Sequence, residues 1–501
     1  MKVFFHLLIC VMAGSCLSCG TGKDVFDPDK KFPPEQLKKD YSLFRNILEE
    51  SHPGLYWYTT KDSLDNYFNR GYGQIHDSMT ETQFRVLLSY VITKINCGHT
   101  SVRGSKKFSG WIDTARLKLF PLTLKLWGDT MVVTYNINRR DSVLKKGTVL
   151  KSINGLTQAQ LRDSLFNYQV TDGYSLSGKY QSLSTGFNFG IWYNNIFGLP
   201  QKLDINYLDS SGEEKEIIIP LYDARADTLS HIPGFISKKM PGRKRNKKFF
   251  FLSAARNLQM DTVEGTAFMT VNTFSHGNRL KSFFRRSFKL MDEKKIRNLV
   301  IDVRSNGGGE ASNSTLLTRY LINKKFKLAD SLYAVNRHSQ YGKYIEKDFL
   351  YRIMMNFVTK KHSDGKYHFG YFERHYFYPK SNHHFDGQVY LLIGGNSFSA
   401  TTLFAGSLKG QKNVTLVGEE TGGGYYGNSA WVIPDVVLPH TKIRFRLPKF
   451  RLVMDRNREK NGRGVMPDVW ALPTTEAIRK GIDFKAWKVK DLINQREDPG
   501  K

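Results

Sequence analysis

From about residue 249 onward, short runs of consecutive apolar residues alternate with amphipathic stretches. NLVIDVR (298–304), VYLLIGG (389–395) and VTLVG (414–418) are too short for helices and are apolar at successive positions rather than at every second one. A strand of that kind is buried on both faces. Burial on both faces requires helices above and below a mainly parallel sheet. GTAFMTV (265–271) adds a further strand, and residues 278–291, a segment after Glu310 and residues 400–408 read as the helices between them. Residues 340–385, rich in Tyr, Phe and His, interrupt the order and read as an insertion over one end of the sheet.

At 501 residues the chain exceeds a single core, so other domains are expected upstream. Leu37, Tyr41, Phe44, Ile47 and Leu48 recur at helical spacing, as do Phe84, Leu87, Leu88, Val91 and Ile95. Thr80 with Gln83 three residues on forms a capping-box signature ahead of the second series. LFPLTLKLWG and MVVTYNI then read as strands around a Gly128-Asp129 turn. A Gly turn, a strand (148–153), an Asn154-Gly155 turn and a short helix follow, an order that resembles a PDZ module, which adds a peptide strand to its sheet edge. KLDINYL and KEIIIPL are expected to close that sheet. The expected fold class is multidomain α/β. It comprises a helical N-terminal region (35–112), a PDZ-like β-rich module (113–225), a basic linker (226–248), a parallel-sheet α/β domain (249–485) and a polar tail (486–501).

The chain opens MKVFFHLLICVMAGSC. Lys2 supplies a charged n-region, residues 3–13 a short apolar run, and Ala13-Gly14-Ser15 the small residues a signal peptidase needs, so residues 1–15 read as an export signal. The run is too short to span a bilayer. Cys16 after small residues resembles a lipobox, with Cys19 as the alternative. Either makes residues 16–34 a lipid-anchored tether of an envelope protein, periplasm-facing. The only other cysteine past the leader is Cys97, and no zinc spacing exists. The net charge of +29 is spread along the chain. No zinc-finger, RRM or helix-turn-helix pattern accompanies it, so a solvated basic surface is expected and no nucleic-acid partner. The densest basic run, 238–248, lies in the linker.

Three segments can carry chemistry. In GGNSFSATTLFAGSLK a buried strand ends at Gly394-Gly395 and a helix starts near Ser399. A hydroxyl there sits where backbone amides and the helix dipole favour a developing negative charge. Either Ser397 or Ser399 could equally be a simple helix cap. In LVIDVRSNGGGE, Gly307, Gly308 and Gly309 let backbone amides approach a substrate, as an oxyanion hole or a phosphate cradle, although the P-loop Lys-Ser/Thr ending is missing. Asp302 and Arg304 read as an internal ion pair shaping that loop. In NCGHTSV, His99 stands on a loop among small residues, as a general base for a serine must.

In order, Asp302–Gly309, Phe398–Ala400, Glu419–Gly423 and GVMPDV at 464–469 resemble the D-x-R-x-N-x-G-G, F-S-A, E-x-T-x-G-G and G-V-x-P-D motifs of the tail-specific, or C-terminal-processing, serine peptidases (family S41). The resemblance covers about 35 to 475 and implies a catalytic domain of the ClpP/crotonase-like type. Some members pair the serine with a lysine after E-x-T-x-G, but Gly424 stands there. Gly98-His99-Thr100 instead matches the tricorn-like subtype. The resemblance therefore implies Ser399 as nucleophile, His99 as base, Gly307–Gly309 with Ala400 as oxyanion donors, and Glu459 or Asn461 as the residue orienting His99. It implies hydrolysis of unstructured or C-terminal polypeptide segments, with no metal or organic cofactor. The family also includes retinoid-binding relatives, so the rival reading is a catalytically weak envelope lipoprotein that binds peptides or apolar ligands.

Overall fold

The computed structural model describes residues 26–115, 117–226 and 251–497. The segment read as an export signal, Cys16, Cys19 and nearly all of the segment read as a basic linker lie outside the described residues, as do residues 498–501. Among the described residues no helix is long and apolar enough to cross a membrane.

The N-terminal region holds helices α1 (Pro34–Ser51), α2 (Lys61–Gly73), α3 (Glu81–Thr93) and α4 (Lys106–Ile112). Pro34 opens α1, where its missing N–H costs nothing. The Thr80–Gln83 capping box forms at the start of α3. The apolar stripes of α1 and α3 are fully buried, and they share one core with Val436, Ile443 and Phe445 from far down the chain. Residues 102–103 pair with 444–445 as short strands. Asp40, with no exposed surface, accepts from the amides of His440 (3.1 Å) and Thr441 (2.8 Å) and from the Thr441 hydroxyl (2.7 Å). The helical region is thereby welded to the segment around 440.

The β-rich module contains β1 (Leu122–Trp127), β2 (Thr130–Asn136), β3 (Val149–Ile153), α5 (Gln158–Phe166), α6 (Leu176–Leu183), α7 (Asn188–Phe197), β4 (Lys202–Leu208) and β5 (Glu214–Pro220). Its antiparallel sheet runs β5-β4-β3-β2-β1. The edge at β1 is met by the end of α6, where the Ser184 hydroxyl accepts from the Leu126 amide (3.0 Å).

The last domain is built from β6 (Arg256–Asp261), β7 (Thr266–Val271), α8 (Leu280–Glu293), β8 (Asn298–Asp302), α9 (Ala311–Arg319), β9 (Ser331–Ala334), α10 (Asp348–Val358), β10 (Gln388–Ile393), α11 (Ala400–Leu408), β11 (Val414–Gly418), β12 (Gly427–Ala430), β13 (Phe450–Val453), β14 (Val469–Trp470) and α12 (Phe484–Glu497). The main sheet has the order β6-β7-β8-β10-β11-β14, parallel except for β6. Side chains alternate across it with the period of two that pleating imposes. Leu299, Ile301, Val389, Leu391 and Leu416 face α8, α9 and α11, whereas Val300, Tyr390, Leu392 and Val417 face α12. A second sheet, containing β9, β13 and β12, carries part of the 340–385 insertion. The result is a multidomain α/β chain whose catalytic-type domain has a mixed sheet. The carboxyl ends of β8 and β10, where α/β sheets place their ligands, bring the Gly307–Gly309 loop beside Ser399.

Replacing Asp40 by Ala leaves two amides and a hydroxyl buried without an acceptor. The variant should lose about 3 kcal/mol of unfolding free energy, read as an unchanged m-value with a lower urea midpoint.

Candidate active site

Ser399 is the residue before α11 and sits at φ 56°, a left-handed bend that a side chain adopts at a cost. Its hydroxyl does not cap α11. Ser397 has the structural role instead. It is fully buried, accepts from the Gly394 amide (3.2 Å) and donates to the Val303 carbonyl (2.9 Å), tying the ends of β10 and β8 together. The bend throws Ser399 against Gly308, where an added Cβ would lie 2.7 Å from the serine Cβ and 3.1 Å from the Ala400 nitrogen. Only glycine fits there, at φ 102°.

The four expected oxyanion donors differ in availability. The Gly308 amide is committed to the Asn306 side chain (2.9 Å). The Gly308 carbonyl accepts from Phe274, and the Glu310 amide donates back to the Phe274 carbonyl. Gly309 is the middle residue of this parallel bridge, so its own amide faces away from Phe274. The Ala400 amide is one of the unpaired donors that every helix N-terminus presents. Arg304 donates to Asp302 (2.6 and 2.9 Å) and to Asp483 (2.6 and 2.7 Å), so the expected ion pair exists and reaches α12.

His99 is 3% exposed, and its ring lies on that of Phe398, with centroids 4.5 Å apart. Gly98 permits this approach, since a Cβ there would stand 2.5 Å from the Phe398 ring. Neither His99 ring nitrogen has a hydrogen bond to any of the described residues. The carboxylate that faces it is Asp172, whose Oδ1 is 3.9 Å from His99 Nδ1. Asp172 is 1% exposed and accepts from the amides of Gly98 (2.9 Å) and Gly424 (3.3 Å). Sequence reasoning missed it. Asp172 follows α5 in the β-rich module, and no spacing relates it to His99 or Ser399.

Glu459 and Asn461 lie elsewhere. Both are exposed, and Asn461 Nδ2 donates to Glu459 Oε2 (3.0 Å) while its Oδ1 accepts from the Arg463 amide (3.0 Å). Their loop nevertheless borders the site, because the Gly462 carbonyl accepts from the Tyr174 amide, two residues past Asp172.

Burial sets the charge states. It pushes the His99 imidazole down to about 3, with the Arg446 charge adding to the effect. It pushes the Asp172 carboxyl up to about 6, against the pull of the Gly98 and Gly424 amides and the Arg451 charge. Arg451, itself 1% exposed, lies over the Trp57 ring at 3.4 Å. At neutral pH His99 is therefore uncharged, while Asp172 is ionised only above about 6. Burial pushes the Cys97 thiol beside them up to about 11, which keeps it protonated.

Residues 265–471 match peptidase family S41. The whole chain is similar in fold to mature CPAF (14% identity, 93% of this chain and 99% of that one, TM-score 0.64). It is similar also to mature CPAF complexed with lactacystin (15% identity, 92% and 98%, TM-score 0.62). No curated protein sequence matches the chain.

Two outcomes follow from this geometry. Ser399→Gly removes the left-handed strain and Ser399→Ala keeps it, so the glycine variant should be the more stable by ~1 kcal/mol in urea titration. The competent form needs neutral His99 and ionised Asp172. The kcat/KM profile should therefore fall as pH drops through about 6, where Asp172 takes up its proton, and Asp172→Asn should abolish that limb.

Proposed function

We propose that this chain, whose residues 265–471 match peptidase family S41, hydrolyses peptide bonds in unstructured or C-terminal segments of proteins outside the cytoplasm, through an acyl-enzyme on Ser399. The observation that carries this reading is the convergence of three distant segments. Ser399 stands in a strained bend at a helix N-terminus, His99 stacks on the adjoining Phe398, and Asp172 backs His99.

Ser399 Oγ attacks the scissile carbonyl carbon while His99 takes its proton. The amides of Gly309 and Ala400 receive the oxyanion. The nascent imidazolium is stabilised by ionised Asp172, which also fixes the tautomer in which Nδ1 carries hydrogen. A ring shift of about 1 Å closes the 3.9 Å gap to Asp172 into a hydrogen bond. Catalytic hydrogen bonds that are open in an empty site commonly tighten when substrate binds. His99 then protonates the leaving amine, and water attacks the acyl-enzyme by the same route in reverse. The low basicity of buried His99 makes proton uptake favourable only when the oxyanion is also forming, so the two charges appear together.

The β-rich module, read as PDZ-like, presents the substrate segment. The leader, read as an export signal followed by a lipidated Cys16 or Cys19, holds the protein at the envelope membrane.

A fluorophosphonate probe should label Ser399 and fail on Ser399→Ala, with hydrolysis of an unstructured peptide lost alongside. Asp172→Asn should slow turnover by ~10²–10⁴-fold, the range set by other triads. Glu459→Gln and Asn461→Ala should leave it within about threefold of the parent. A large loss in either of the latter with none at Asp172 would return the orienting role to the 459–461 loop.

A further inference from the structure

We propose that α10 is a membrane-contact helix that rests on an anionic lipid surface. It is independent of the Ser399 mechanism. α10 lies in the 340–385 insertion, far in sequence from every residue of the active site. Of its residues only Met355 is buried. Phe349, Ile353 and Phe357 recur every fourth residue and so share one face, with Leu350 beside them. Their exposures are 72%, 42%, 86% and 59%. A single exposed leucine is ordinary, whereas four large apolar side chains on one face of one helix mark a contact surface.

Charge points to the occupant. Lys347 precedes the helix, and Lys360 and Lys361, both exposed, follow it. The acid in the first turn, Asp348, is neutralised by Arg352. An apolar face flanked by lysines is the composition of helices that lie in the lipid interface, and a chain of net charge +29 is drawn to anionic headgroups. A second copy of this chain would bring the same lysines against each other.

The path of the N-terminus points the same way. Phe26, the first described residue, packs on Phe108 and Trp111 of α4, with ring centroids 5.5 and 5.3 Å away. Lys106 of α4 pairs with Glu346 (2.7 Å), two residues before α10. Phe26, the point at which the preceding 25 residues of sequence join the described chain, therefore lies on the same side as α10. Ten residues from Cys16 to Phe26 reach ~35 Å at full extension. A leader held in a bilayer would thus keep this side of the protein within contact range of it.

The test is co-flotation of the full chain carrying Cys16→Ser and Cys19→Ser with vesicles of phosphatidylcholine, with or without phosphatidylglycerol. Binding should require the anionic lipid and fall with salt. It should drop by ~10-fold or more in Phe349→Ser/Phe357→Ser, whose side chains are too exposed to matter for folding. Peptidase activity without vesicles should be unchanged. Lys360→Glu/Lys361→Glu should weaken flotation on its own and serves as the second variant. Flotation equal to the parent's in both variants would overturn the proposal, since the leader would then account for all binding. So would a dimer in sedimentation equilibrium that Phe349→Ser/Phe357→Ser converts to monomer, which would assign the face to a second copy.

Discussion

Two backbone amides hold Asp172, and through them three separate parts of the chain are held to one another. Oδ1 accepts from Gly98, which fixes the loop that carries His99. Oδ2 accepts from Gly424, in the turn after Glu419-Glu420-Thr421. The same short segment is laced in on both sides, with the Asp172 amide donating to the Gly422 carbonyl and the Gly173 amide to the Asn96 carbonyl. Thr171 and Ser175 hydroxyls add bonds to the carbonyls of Gly422 and Thr421. A carboxylate buried this deeply is costly, and its cost is offset by amides and by the Arg451 charge. Gly424, whose N–H supports the acid, stands where the sequence resemblance would place a lysine in the Ser–Lys arrangement.

The turn itself is braced from the far end of the domain. Glu420, 1% exposed in its side chain, takes both Arg463 nitrogens (3.0 and 2.7 Å) and the Gly464 amide (2.8 Å), and Thr421 Oγ1 accepts from Val465 (2.8 Å). These bonds make the Gly464–Val469 segment a buttress of the Glu419–Gly423 turn. Arg304 plays the same part beneath the glycine loop by joining Asp302 to Asp483 of the C-terminal segment. Neither brace touches the reacting atoms.

Local pattern made much of this legible. The doubly buried strands, the α1 and α3 stripes and the Thr80 capping box are properties of neighbouring residues, and the structure forms them where periodicity placed them. Ser399, His99 and the glycine loop were legible because each lies in a short motif of its own. Asp172 was not, since its relation to His99 exists only after the β-rich module docks between the helical region and the catalytic domain. Local pattern alone left Ser397 and Ser399 as equal candidates, and only the resemblance of Phe398–Ala400 to F-S-A singled out Ser399. What distinguishes them is direction: one hydroxyl points inward to Val303 and the other sits on a left-handed bend. The core shared by α1 and the segment around 440 depends likewise on contacts across some four hundred residues.

A structure of the fluorophosphonate adduct on Ser399 tests the assembly most directly, because the tetrahedral phosphorus imitates the charge that the site is built to meet. The distance from His99 Nδ1 to Asp172 Oδ1, 3.9 Å in this structure, should fall to about 2.7–3.2 Å as the imidazole becomes charged. The phosphonyl oxygen should lie on the amides of Gly309 and Ala400. An adduct in which His99 Nδ1 turns instead to Glu459 or Asn461, or stays without a partner, would contradict the account.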